Sequence, residues 1–303
     1  MPSIPNGVYP TMITPYTSDD KIDFGAVEQL LHWYHDNGVN GVFAVCHSSE
    51  MWFMSFEERL ELMRFIVDHK PAGMTVVASG HTAEDLDRQV YESNAFIETG
   101  IDAYVFLSNR FAKPEESDDI LLKNMEYVVS RIPEIGLGIY ECPYPYKRLL
   151  TPYVLKKMAE TGRFQFLKDT CCDPAQIKEK LDAVRGSDLK IFNANAATLL
   201  ETLNMGCAGF SGIMANFFPD LCAELCGCFR TNPERAEKLQ NFIGFSSMAE
   251  GQAYPINCKY FHRLEGHDFQ LHSRSQSMEN FTINIRECTR QMRETGNLLR
   301  SSL

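Results

Sequence analysis

Positive charge is scarce in this sequence. Its 303 residues carry 29 Lys and Arg against 40 Asp and Glu, a formal charge of −11 with histidine neutral. A nucleic-acid binder needs a cationic surface to displace counterions, so that class is disfavoured. No polybasic segment marks a contact with anionic lipid. Long apolar runs are also missing: no stretch approaches the about 18 residues that suggest a membrane-spanning helix. The opening MPSIPNGVYP has no charged segment followed by an apolar one, so no secretion signal is expected there. Ten cysteines are scattered along the chain, and free thiols in a reducing cytoplasm are expected. Cys222, Cys226 and Cys228 lack a second ligand cluster, and His32 and His35 read as surface histidines, so no metal is expected.

What the sequence does have is a large apolar fraction, 44%, with 20 Phe and 12 Tyr, enough for a substantial core. Short runs rich in Val, Ile and Phe recur at 8–13, 41–46, 75–80, 102–107, 136–141, 164–169, 189–194 and 207–214. They are continuous rather than alternating, as in strands buried on both faces. A helix signal follows each of the first seven. Asp23 caps the first, which stops at Asn37-Gly38, and Ser55 with Glu58 forms a capping box for the second. The third is expected to open at Thr82, with Asp85 three residues on, and the fourth ends before Pro133. Thr151-Pro152 and Asp173-Pro174 open the fifth and sixth, each a cap followed by proline at the first helical position.

Eight strand–helix alternations fit either a doubly wound sheet or a closed barrel. The glycine-rich turn that nucleotide-binding doubly wound sheets place after their first strand is absent: the chain reads TPYTSDDKID there. The expected fold is therefore an α/β (β/α)8 TIM barrel over 1–222 with a helical C-terminal appendix over 223–303. Within the appendix, helices are expected from Asn232-Pro233, from Pro255, and from about Ser277 with Phe281, Ile283 and Cys288 on its apolar side.

A barrel carries its active site at the C-terminal ends of its strands. That rule selects Cys46 to Glu50, Ser108 to Phe111, Tyr140 to Pro143, Lys168 to Thr170, Asn193 to Asn195, and Ile213 at the end of the last run. Lys168 follows Phe164, Phe166 and Leu167 on a strand that should be desolvated. Burial penalises the ammonium form, and a neutral amine is a nucleophile toward a carbonyl carbon. Taken alone, Lys168 also reads as a strand-end lysine reaching solvent. Tyr140, at the end of the neighbouring strand, adds a phenol able to move protons on a carbinolamine; a packing role is its other reading.

With these residues in place, the sequence resembles the dihydrodipicolinate synthase / N-acetylneuraminate lyase family of Schiff-base-forming aldolases. The resemblance runs over essentially the whole chain: GVYPTMITPY, the helix starting at Asp23, and Tyr140-x-x-Pro143 paired with FLKD around Lys168. It implies a lyase acting on pyruvate or a related 2-keto acid, without metal or organic cofactor, assembled as a dimer or tetramer. It also implies that Lys168 forms the imine and Tyr140 relays protons. The family's GTTGE or GSTGE loop is CHSSE here. Ser48 falls on the second hydroxyl, which holds the keto-acid carboxylate, Ser49 falls where glycine is usual, and His47 falls on the first hydroxyl of the relay. His47 is read either as a replacement proton carrier or as a residue shaping the pocket. The family's TPYY is matched by Ser108-Asn109-Arg110-Phe111. Phe111 has no proton to pass, and Arg110 is a candidate anion contact. Asn195 and Ile213 are candidate substrate contacts.

The Asp-Glu pair by which sialic-acid lyases grip sugar hydroxyls is matched by Ala196 and Ala197. The synthase's arginine position is Pro145, with Lys147 and Arg148 following. The expected function is a Schiff-base lyase on a 2-keto acid. Its alternatives are 4-hydroxy-tetrahydrodipicolinate synthase proper and a catalytically retired keto-acid sensor.

Overall fold

The computed structural model describes residues 3–303. Among them eight parallel strands form one sheet: β1 (Gly7–Val8), β2 (Gly41–Ala44), β3 (Thr75–Ala78), β4 (Ala103–Leu107), β5 (Gly136–Tyr140), β6 (Phe164–Asp169), β7 (Lys190–Asn193) and β8 (Gly209–Phe210). Their order is β1-β8-β7-β6-β5-β4-β3-β2. The ring closes between its ends through a parallel bridge of Thr11 with Phe43. There the Phe43 amide donates to the Pro10 carbonyl at 2.9 Å, and Met12 N donates back to the Phe43 carbonyl at 3.0 Å.

The first and last strands are shorter than their apolar runs. Pro10 has no N–H to offer a ladder, so β1 ends at Val8. β8 gives way to a 3-10 turn over Ile213–Asn216. The two meet so closely that a Cβ on Gly209 would lie 1.8 Å from the Gly7 carbonyl oxygen, so only glycine fits. Phe166, on the same face as Lys168, packs with Phe192 (4.5 Å between centroids) and Tyr9 (5.5 Å), filling the barrel below the lysine.

Helices α1 (Phe24–Asp36), α2 (Phe56–His69), α3 (Leu86–Ile97), α4 (Asp118–Val129), α5 (Pro152–Glu160), α6 (Pro174–Ala183), α7 (Leu199–Met205) and α8 (Pro219–Cys228) follow the strands in turn. The Asp23, Ser55, Thr151 and Asp173 caps stand where the sequence puts them. The third helix differs. Its cap is Asp85, which accepts from Arg88 N, while Thr82 N, in the preceding loop, donates to the Glu92 side chain of the helix. An aspartate directly before the first turn caps it without help from Thr82.

The appendix holds α9 (Pro233–Ser246), α10 (Ile256–Leu264) and α11 (Ile283–Ser302). The division expected after residue 222 falls inside α8. The last helix starts later than Ser277, after its Thr282 cap, and Ile283 is 71% exposed rather than packed. Its buried positions are Thr289 and Gly296, where a Cβ would meet the Phe218 ring at 2.4 Å. Glu50, in a left-handed conformation with φ 62°, fastens the appendix to the barrel mouth. Its buried carboxylate accepts from Lys259 Nζ (3.1 Å), Ser273 Oγ (2.7 Å) and the Arg274 and Ser275 amides (2.7 and 2.8 Å). Among the described residues no helix is long and apolar enough to cross a membrane.

Candidate active site

Lys168 and Tyr140 are paired in register across β5 and β6. Lys168 is 5% exposed. Its Nζ lies 4.3 Å from the centre of the Tyr140 ring and 5.6 Å from that of Phe43, so the amine rests among aromatic faces. Burial lowers the lysine pKa, against the opposing pull of Cys46, Cys142 and Glu250. Burial also pushes the Tyr140 phenol well above its ordinary value, with Cys142 and Cys46 adding to the effect. Burial thus shifts the amine toward its neutral form beside a phenol that keeps its proton.

Directly behind this pair sits a buried three-group cluster. Lys180 of α6 donates to Glu141 Oε1 at 2.6 Å and to Asp169 Oδ2 at 2.5 Å. Glu141 also accepts from the Leu150 and Thr170 amides, and Asp169 from the Cys171 amide. Burial and the neighbouring Asp169 raise the Glu141 pKa, which Lys180 opposes. Burial works against the Lys180 charge, but the two carboxyls outweigh it and hold the ammonium. Each carboxyl belongs to the residue after a candidate catalytic one, so the cluster sets where Tyr140 and Lys168 stand. Lys180→Met leaves two carboxyls buried and unpaired. It is expected to cost about 3–5 kcal/mol, as when one partner of a buried pair is removed. The deficit should narrow as pH falls, because protonating a carboxyl relieves the repulsion. Denaturant melts of both proteins at pH 5 and pH 8 measure it.

The pair opens into a cavity of about 320 Å³, with His47, Ser48, Asn195, Ile213, Lys147 and Glu250 among its walls. Of the residues selected from the sequence, Lys168, Tyr140, His47, Ser48, Asn195 and Ile213 are therefore together. Ser48 Oγ donates to Thr11 Oγ1 at 3.1 Å. The His47 ring stacks on Tyr144 at 5.9 Å, with its Nδ1 buried and unpartnered. Burial and Lys168 lower the His47 pKa, favouring the neutral ring.

Ser49 and Arg110 stand apart from this group. Ser49 Oγ donates to the Met12 carbonyl at 2.6 Å and accepts from Cys46 N at 3.0 Å, which shapes the loop rather than facing a ligand. Arg110 pairs with Glu84 at 3.2 Å and lies over the Trp52 ring at 4.7 Å. Phe111 is buried against Phe106 and His81.

The run after β5 divides the two basic residues noted there. Asn109 Nδ2 donates to the carbonyls of Cys142, Tyr144 and Tyr146 and folds the segment over the mouth. Lys147 then lines the cavity, its Nζ bonded to the Thr170 carbonyl at 2.9 Å. Arg148 turns away to Asp118 and the carbonyls of Lys113, Pro114 and Glu116. Sequence reasoning missed Glu250. It lies in the appendix, where no strand-end rule applies, and only its place in space marks it.

The family model described as the dihydrodipicolinate synthetase family matches residues 4–274. The chain belongs to this family. Membership makes it an enzyme of the Schiff-base-forming aldolase type, acting on pyruvate or a related 2-keto acid. One relative in the dihydrodipicolinate synthetase family is the 4-hydroxy-tetrahydrodipicolinate synthase of Haloarcula marismortui, 25% identical over 86% of this chain and 85% of that one. The fold matches YagE, a prophage protein of E. coli K12 solved in complex with pyruvate, at a TM-score of 0.86 and 20% identity over 97% and 98% of the two chains. It also matches the sialic acid aldolase of Ruminococcus gnavus at a TM-score of 0.84 and 18% identity, over 96% and 98%.

Proposed function

We propose that Lys168 forms the imine with pyruvate or a related 2-keto acid, that Tyr140 moves protons on the carbinolamine, and that Ser48 helps hold the keto-acid carboxylate. The observation that carries the reading is the buried amine set against the Tyr140 ring at the floor of the cavity. Attack of the neutral amine on the ketone gives a carbinolamine. Loss of water needs a proton delivered to its hydroxyl, and the phenol beside the amine is the donor. In cleavage the iminium takes up the electron pair of the breaking C–C bond and becomes an enamine; in formation the enamine gives that pair to the acceptor carbon and the iminium returns, so the reading calls for no metal and no organic cofactor.

Among the described residues the walls lack the groups by which relatives of this kind would hold a second carboxylate or a sugar's hydroxyls. Pro145 stands where the synthase's arginine is expected, and Ala196 and Ala197 line the cavity where an acidic pair would grip a sugar. Among the described residues Lys147 is the other lysine on the wall, and a carbonyl engages it. One feature departs from the family's usual relay: Phe111, buried in the core, can pass no proton. The proposal places the enzyme in the cytoplasm, which ten free thiols suit, as a homo-oligomer in line with the family resemblance.

Borohydride reduction in the presence of pyruvate should leave one reduced adduct per chain, mapped to Lys168 by peptide mass. An unmodified chain, under conditions that label a known Schiff-base aldolase, removes the reading. A panel of 2-keto acids with aldehydes then identifies the substrate by turnover.

A further inference from the structure

Besides His47, a further titratable group on the cavity wall has a buried polar atom without a partner. Glu250 stands on the 3-10 segment Ser247–Gly251, between α9 and α10, and its side chain joins the wall. Its Oε1 is buried without a hydrogen-bond partner. A bare buried carboxyl oxygen costs stability, and such atoms call for a specific explanation. The charged and titratable groups around it are Lys168 from β6, His47 after β2, Tyr140 from β5, Lys147 after β5, Cys172 after β6 and Cys222 from α8. Of these, Lys168 acts on its charge, and the Met214 amide, in the 3-10 turn after β8, adds a second favourable contact.

We propose that Glu250 is a catalytic residue of this site, the base that removes a proton from the carbon next to the imine and later returns it. The inference rests on the Schiff-base reading of Lys168. In the step, the carboxylate takes H⁺ from C3 of the iminium. The C–H electron pair becomes the C2=C3 bond, and the C=N π pair moves onto nitrogen. A cation and an anion become a neutral enamine and a neutral carboxylic acid. That loss of charge is favourable in a buried cavity. The reverse step restores the iminium.

The surroundings give Glu250 the right proton affinity for this work. Burial raises its pKa to about 7, with Lys168 and the Met214 amide opposing. A general base is most effective when its pKa is near the working pH. Tyr140 holds its proton too tightly to serve as this base. His47 is the competing base, and the test separates the two.

Pyruvate alone is the probe. Exchange of its methyl hydrogens in D2O, followed by proton NMR, reports imine–enamine interconversion and needs no second reactant. Borohydride trapping of the same samples reports the imine independently. Glu250→Gln should still be trapped at Lys168 but lose exchange by about 10²–10⁴-fold, the range for removing a general base. At saturating pyruvate, wild-type exchange should rise with pH through a limb near 7. That limb should be missing in Glu250→Gln and present in His47→Gln. Because Oε1 of the replaced carboxyl is unpartnered and the amide oxygen of glutamine can still accept from the Met214 amide, Glu250→Gln should melt no lower than wild type at pH 8, where a structural carboxylate would be missed. Exchange at the wild-type rate in a Glu250→Gln chain that still traps pyruvate overturns the proposal. So does a limb that vanishes in His47→Gln and persists in Glu250→Gln. A wild type that is itself not trapped removes the Schiff base, and the proposal with it.

Discussion

Lys168→Met should have no lyase activity and should melt higher than the wild type at neutral pH. The first half follows from chemistry. Without the amine no imine forms, and the loss should exceed about 10⁴-fold, the scale seen when a covalent enzyme loses its nucleophile. The second half follows from burial. Lys168 lies among Phe43 and Tyr140 with its pKa lowered by desolvation. In the unfolded chain a lysine titrates at about 10.4, so between its lowered folded value and that point the unfolded state binds more protons. Stability of the wild type therefore rises with pH across this window, and the burial penalty is present at neutral and acid pH. Methionine fills a similar volume with no charge to desolvate. The gap in melting temperature between the two proteins should be widest near neutral and acid pH and close as pH approaches 10. Lys168→Arg is the companion variant: guanidinium stays protonated, so it should neither form the adduct nor relieve the penalty. Thermal melts across pH, with activity on the identified substrate, check both halves. A Lys168→Met protein that retains turnover would remove the lysine from the mechanism.

Tyr140→Phe should reduce turnover by about 10²–10⁴-fold, the usual scale for losing a positioned acid–base group. The ring contacts remain. Phe43 meets Tyr140 edge to face at 5.5 Å, and the Lys168 amine lies against the same ring, so the fold and the lysine's surroundings should persist. What disappears is the hydroxyl proposed to protonate the carbinolamine. The defect should therefore appear as slow imine formation, read by quenching pyruvate-treated samples with borohydride at successive times. The final extent of trapping should match wild type while its rate falls. The phenol's pKa is raised by burial, so Tyr140 should add no basic limb to the wild-type profile below pH 10. A wild-type trapping rate in Tyr140→Phe would assign the ring to packing alone.

Lys168, Tyr140 and the eight strand runs were legible because they obey local rules. Continuous apolar runs, capping residues and Pro at the first helical position act within a few neighbours. The strand-end rule then turns chain position into place in space. The family resemblance added roles to those two residues and put Ser48 in the loop that the structure shows on the cavity wall. Ser49 and Arg110 obeyed the same strand-end rule yet point elsewhere. A 3-10 turn and a salt bridge to Glu84 decided their direction, and those depend on partners up to 37 residues away. The cluster of Glu141, Asp169 and Lys180 could not be read from spacing either, because α6 brings the lysine to carboxyls 39 and 11 residues distant. Glu250 marks the limit most sharply. By itself the sequence determined a parallel barrel with a desolvated lysine at one strand end. Only the tertiary structure decided which appendix residue closes over that lysine, because burial of a carboxyl beside an amine is a property of packed surfaces and not of neighbours along the chain.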